Sequence, residues 1–311
     1  MKHLEKGLYE NCGKYDFREL VAKELEKIGI IISDSSLLHK FIEKAEEEKI
    51  QVHIVSREVI PDIIRCGLID NNLLEVPKTE ENVQKYLERV GRTCIERYLS
   101  GCGECVKDTT LDILVRDMII PSFYFYTNTN VKIPDLNDLT SFLAYSFLFG
   151  TGNRRNNIII VYLDKETSHQ LLQLLLHEGF HLMYDPSSSK YLDSKLYSEI
   201  LESYISTTSL KSELENIGII RGEEIAAEYV SLLTSKELGN KGTELINIRK
   251  EIIKDTLSKI AEKIKIIGVK PIPLYLRCYR QCPLKSYLLA YKLLEYEEIE
   301  EKVREFLRKY I

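Results

Sequence analysis

Apolar residues recur at spacings of three and four along most of this chain, and the stretches that break the pattern are short. DFRELVAKELEKIG (16–29) and SSLLHKFIEKAEEEK (35–49) each predict a helix. The second opens on Ser35 and Ser36 as candidate caps and closes in a solvated charge run. The apolar IIIS between them reads as a candidate strand. VHIVSREVI (52–60) reads as another, and Pro61 and Gly67 punctuate a turn region before TEENVQKYLERVGRTCIERYLS (79–100) returns to helical spacing. Character changes after residue 105. Aromatic and β-branched residues gather in MIIPSFYFYTNTNVKIP (118–134), a composition that favours strands, and NNIIIVYLD (156–164) is a compact strand bounded by Asn and Asp164. Helical spacing then resumes in SHQLLQLLLHEGFHLM (168–183), LDSKLYSEILESYI (192–205), GEEIAAEYVSLLTSKELG (222–239) and INIRKEIIKDTLSKIAEKIKIIG (246–268). The tail, SYLLAYKLLEYEEIEEKVREFLRKYI (286–311), predicts one amphipathic helix or a pair.

The expected fold is α+β and helix-dominated, with a mostly helical region over 1–105, a central region over 106–240 that carries the strands, and a helical region over 241–311. At 311 residues and 44% hydrophobic, the chain can bury a sizeable core. A net charge of -5 argues against general attraction to nucleic acid or anionic lipid. The N-terminal residues lack an apolar signal core, and no run approaches the roughly 20 apolar residues of a membrane span. A soluble, cytoplasmic protein is the expectation. Seven cysteines, an odd count, argue against a secreted disulfide framework. The absence of Trp and the abundance of Ile, Lys, Glu and Tyr lean towards a thermophilic source, where intracellular disulfides occur.

One helix carries the chemistry. In SHQLLQLLLHEGFHLM, with Thr167 or Ser168 as the expected cap, leucines, Phe180 and Met183 cover most of the circumference, as in a helix buried within a domain. Gln170, Gln173, His177, Glu178 and His181 do not scatter among them but form a single narrow stripe. An unpaired buried polar group costs about 1–3 kcal/mol, so a line of them needs partners. His177 and His181 stand one turn apart on one face, where two imidazoles can meet one zinc ion, and Glu178 lies beside that face. Gly179 within this stretch costs about 1 kcal/mol of helix propensity relative to Ala, which predicts a close approach of another element.

The sequence His177-Glu178-Gly179-Phe180-His181 is HExxH, and the segment resembles the active-site helix of zincin metallopeptidases. The resemblance covers 158–233, including the strand before the helix, which in those enzymes lies near an edge strand that aligns the substrate. It implies a zincin-like catalytic core made of a small sheet, an active-site helix and a ligand helix. The metzincin continuation is excluded, since Tyr184 and Ser187 stand where that subclass has Gly and His. The gluzincin type requires a Glu from a later helix. Glu224, with Glu228 one turn on, looks like the ligand helix of several gluzincin families, in which the residue four later supports a ligand histidine. Here that residue is Glu, a departure from the usual Asp or Asn. Glu202 and Glu199 are alternatives for the third ligand, as are Glu228 and the aspartates Asp185 and Asp193.

The resemblance implies a zinc metallopeptidase acting on a peptide or protein substrate: His177, His181 and Glu224 bind one Zn2+, Glu178 is the general base, and a later Tyr or His stabilises the transition state. Tyr229 and Tyr184 are candidates for that last role. Cys102, Cys105, Cys278 and Cys282 could form a second, structural zinc site, disulfides or a redox pair; Cys12, Cys66 and Cys94 carry no pattern. A metal-stabilised, non-catalytic binding or regulatory protein is the alternative function.

Overall fold

The computed structural model describes residues 13–31, 36–70, 80–99, 108–128, 150–153, 156–164, 168–183, 192–207, 222–267 and 282–311. Four short strands, β1 (Gly13–Asp16), β2 (Gln51–Ser56), β3 (Gly150–Asn153) and β4 (Ile158–Leu163), form one mixed sheet in the order β1-β2-β4-β3. The two central strands pair in parallel, from Gln51 opposite Ile158 to Ser56 opposite Leu163, and each outer strand is antiparallel to its neighbour. All six residues of β4, IIIVYL, are buried, so both faces of this strand are covered. Asn157 adopts a left-handed φ of 50° just before it, and its side-chain amide donates to the Glu48 carbonyl at 2.7 Å, fixing where β2 and β4 begin to pair.

Helices make up the rest of the described chain, which is α+β with helix dominant. The N-terminal group comprises α1 (Phe17–Lys27), α2 (Leu37–Glu47), α3 (Ile60–Arg65), α4 (Glu80–Leu99), α5 (Asp108–Leu114) and α6 (Ile120–Asn128). Asp16 caps α1 by accepting from the Arg18 and Glu19 amides, and Ser36 caps α2 by accepting from His39. After β4 come α7 (Leu171–Leu182), α8 (Leu192–Thr207), α9 (Gly222–Lys236), α10 (Gly239–Ile267), α11 (Cys282–Leu293) and α12 (Glu297–Tyr310). The tail is therefore a helix pair. Helix α7 packs on β3, β4 and α1, while α9 packs against α7, α8, α10 and α11. Every residue of α9 from Glu224 to Ser235 is buried. Its small residues permit close helix approach, as where Ser231 Oγ donates to the Gln173 carbonyl of α7 at 3.0 Å.

Several elements differ from the sequence expectation. The strand read through VHIVSREVI stops at Ser56; Arg57–Val59 is a 3-10 turn and Pro61 lies in the first turn of α3, where its missing N–H costs nothing. Of the IIIS link, Ile30 and Ile31 form no strand, and the rest lies outside the described residues. The β-favouring composition around Phe123 belongs to helix. A wide π turn, Val115–Ile119, precedes Pro121 and makes room for a ring that would collide with the carbonyl four residues back in a regular helix. Strands β1 and β3 escaped notice because four residues containing glycine show no alternation.

Gly179 has the close neighbours its cost implied: a Cβ there would lie 3.0 Å from the Phe17 ring and 3.2 Å from Phe41. Cys66 and Cys94 form a disulfide joining the turn after α3 to α4, a pairing that their spacing did not signal. Cys12, Cys102, Cys105 and Cys278 lie outside the described residues, as does the side chain of Cys282 at the start of α11, so the four-cysteine site does too. Among the described residues no helix is long and apolar enough to cross a membrane.

Candidate metal centre

Two helices deliver the donors. Helix α7 starts at Leu171 after a 3-10 turn, Ser168–Gln170, rather than directly from a Thr167 or Ser168 cap. Its leucines bury it so fully that His177 is 1% and Glu178 6% exposed. Helix α9 crosses it and brings Glu224 to both histidines: Glu224 Oε2 lies 3.2 Å from His177 Nε2 and 3.3 Å from His181 Nε2. The two Nε2 atoms are themselves 3.2 Å apart. The group His177, His181 and Glu224 can hold a metal ion.

Each imidazole is turned by a carboxylate on its far side. His177 Nδ1 meets Glu228 Oε2 at 2.8 Å, and His181 Nδ1 meets Asp193 Oδ2 at 2.9 Å. In the neutral imidazoles, with both Nδ1 atoms donating, both Nε2 atoms carry lone pairs, and these converge on each other and on the Glu224 oxygen. Three acceptors facing one another repel unless a proton or a metal ion lies among them. Donors about 2.0–2.1 Å from one ion at tetrahedral angles lie about 3.3 Å apart, which the observed triangle matches.

The electrostatics agree. The His181 imidazole is pushed up to about 10: burial opposes the charge, but the Glu224 and Asp193 carboxylates outweigh it. His177 is raised for the same reasons, burial being overcome by Glu224 and Glu228. Glu224 is held well below the usual carboxylate range although burial pushes it up, because both histidines face it. Glu178, in contrast, is raised by burial despite the nearby imidazoles. The pocket attracts positive charge onto the triangle, and burial makes the carboxyl beside it more basic than usual.

Two further residues complete the site. Arg249 of α10, fully buried, grips Glu228 with Nε on Oε1 and Nη2 on Oε2, both at 2.7 Å. It holds Glu228 down to about 2, against a burial effect in the opposite direction. Tyr287 of α11 packs edge-on to His177, ring centres 4.8 Å apart, and its hydroxyl donates to Glu224 Oε2 at 3.3 Å. On the rim, β3 passes over Glu178 so closely that a Cβ at Gly150 would lie 3.0 Å from Glu178 Oε1.

His177, Glu178, His181 and Glu224 therefore come together as the sequence implied. Glu228 and Asp193 orient the histidines instead of completing the triangle, and Glu199 and Glu202 are exposed on α8. Asp185 and Tyr184 lie outside the described residues. Tyr229 is buried where the charges of Glu300 and Arg304 reach it, towards α12, and Tyr287 is the tyrosine whose hydroxyl reaches Glu224. His169 is exposed, whereas Gln170 Oε1 receives Arg249 Nη1 at 3.5 Å. Sequence reasoning missed Arg249 and Tyr287. Arg249 carried a signal, a charged residue on the apolar stripe of Ile246, Ile253 and Ile260. Tyr287 carried none, being one of 19 tyrosines in an apolar stretch.

The arrangement is a two-histidine, one-carboxylate group that could hold a metal ion, with the Glu178 carboxyl beside it. No family model, curated protein or solved structure matches this chain.

Proposed function

We propose that the protein is a zinc-dependent metallopeptidase of the gluzincin type, built on a zincin-like core of sheet, α7 and α9. The observation that carries this reading is the triangle of lone pairs from His177, His181 and Glu224, with Glu178 next to it on the same helix and outside the triangle. Two imidazoles and a carboxylate suit zinc, and three protein ligands are the number that leaves a fourth position open. A zinc ion held there would supply Lewis-acid polarisation of a scissile carbonyl and a lowered pKa for water. The side chains of His181 and Glu224 keep 14% and 11% of their surface, so the site opens at the edge where they lie.

The chain's own residues then divide the work. Glu178 takes a proton from the attacking water and passes it to the leaving amine, a role suited to a carboxyl that burial has made more basic. Glu228 and Asp193 fix the imidazole tautomers. The Tyr287 hydroxyl, beside the ligand carboxylate, is the donor best placed to stabilise a developing oxyanion. The substrate is a peptide or protein, and the edge position of β3 over Glu178 fits an extended chain lying alongside it.

Zinc content and peptide cleavage, measured for the wild type and for Glu178→Gln, test the reading. One zinc in both proteins, with hydrolysis in the wild type only, supports it. Zinc without hydrolysis in either would favour a metal-stabilised binding protein, and the absence of stoichiometric metal would remove both.

A further inference from the structure

Arg249 is among the largest side chains buried completely among the described residues, and stability alone does not account for it. A buried ion pair rarely stabilises more than apolar residues of equal volume would, because two charges must first leave water. Position 249 lies on the apolar stripe of α10 with Ile246, Ile253 and Ile260, where an aliphatic residue would serve packing as well. What the ion pair does uniquely is hold one carboxylate in one orientation. Both Glu228 oxygens are engaged by the guanidinium fork, and Oε2 is left facing His177 Nδ1 at 2.8 Å. A glutamate has one more side-chain torsion to fix than an aspartate would have at this position. The fork removes that freedom.

We infer that Arg249 is a positioning residue for the metal centre, acting through Glu228 to keep His177 donating from Nδ1 and presenting the Nε2 lone pair to the triangle. This rests on the metal-site reading above. Tyr287 belongs to the same support, since the Arg249 guanidinium carbon lies 5.6 Å from its ring centre and its hydroxyl reaches Glu224. Lysine at 249 would keep the charge but supply a point contact in place of the fork.

The test uses the full chain and two readouts that packing alone would not move: zinc affinity by chelator competition and the visible absorption of the Co2+-loaded protein. Circular dichroism shows that each variant is folded. Arg249→Lys should bind zinc about 10–100-fold more weakly and change the cobalt bands, as expected when support of a ligand histidine is lost. Arg249→Met should add no further loss once Glu228→Gln is present, because the arginine acts through that carboxylate. Wild-type affinity and an unchanged cobalt spectrum in folded Arg249→Lys would overturn the inference. An equal loss from Arg249→Met with and without Glu228→Gln would overturn it also. Failure of the underlying reading looks different: the wild type itself would bind no zinc, or His177→Ala would bind it as tightly.

Discussion

The back of the metal centre and its rim are built on opposite principles. At the back, His177, Glu228 and Arg249 are at most 1% exposed and linked by contacts of 2.7–2.8 Å, a closed chain of charge with no route to solvent. At the rim, His181 leans on Asp193, Glu178 lies under the edge strand β3, and His181 and Glu224 retain some surface. The back holds geometry at the cost of burying charge, whereas the rim keeps the groups that would meet substrate on the proposed function. Removing a rim group should therefore cost function with little structure, and removing a back group should cost structure first.

The sharpest form of that contrast is Glu178→Gln against Glu228→Ala. Glu178→Gln keeps the shape of the side chain and deletes only the proton transfer proposed for it. Hydrolysis should fall by about 10²–10⁴-fold while zinc content and thermal unfolding are unchanged. Glu228→Ala leaves the Arg249 guanidinium buried and uncompensated, a loss of about 3–5 kcal/mol that chemical denaturation would register with or without metal. If Glu228→Ala unfolds at the wild-type denaturant concentration, the back is not the rigid half.

Asp193→Ala tests whether the rim histidine is held as its partner is. Asp193 is buried and also accepts from its neighbour, the Ser194 amide, at 2.8 Å. Its removal should weaken zinc binding about 10–100-fold through His181 and disturb folding less than Glu228→Ala does. A larger fold defect than in Glu228→Ala would reverse the comparison.

What the sequence revealed follows the same division. His177, Glu178 and His181 were legible because helical spacing alone puts them on one face, and Glu224 because it stands out from an apolar helix. The choice between Glu224 and Glu228 was not settled by spacing. Both lie on the same face of α9, and only the crossing of α7 and α9 decides that the first reaches Nε2 and the second Nδ1. Asp193, Arg249 and Tyr287 come from three other helices, so their roles depend on tertiary packing that periodicity does not encode. The fold divides similarly. The all-apolar β4 and the long amphipathic helices announced themselves, while the four-residue β1 and β3 are defined by their pairing partners.

Strand β3 offers a milder test at the rim. Gly150→Ala would place a methyl 3.0 Å from Glu178 Oε1 and 3.1 Å from the Ile160 carbonyl, so either the carboxylate or the strand must give way. Overpacking of this kind costs about 1–3 kcal/mol. Because the Glu178 end is a flexible side chain and the other neighbour is backbone, the carboxylate should move. The expected outcome is a fall of about tenfold in kcat with zinc affinity retained, since no ligand atom is touched. Equal loss of kcat and zinc affinity would mean that β3 supports the ligand triangle and not only Glu178.

The smallest expected effect is the most exacting for the choice of third ligand. Glu202 sits on α8, exposed, at a distance along the chain from His181 that suits a gluzincin ligand, and Glu199 lies one turn before it. Spacing favours them as readily as it favours Glu224; geometry does not, because α8 contributes Asp193 to the far side of His181 and turns both glutamates to solvent. Glu202→Gln should leave zinc stoichiometry unchanged and stability within about 0.5 kcal/mol, as for an exposed charge with no structural task. Glu224→Ala, measured alongside, should lose zinc. A reversal of these two results would place the third donor on α8, move the open edge to the other side of His181, and leave the Tyr287 hydroxyl beside a carboxylate that is not a ligand.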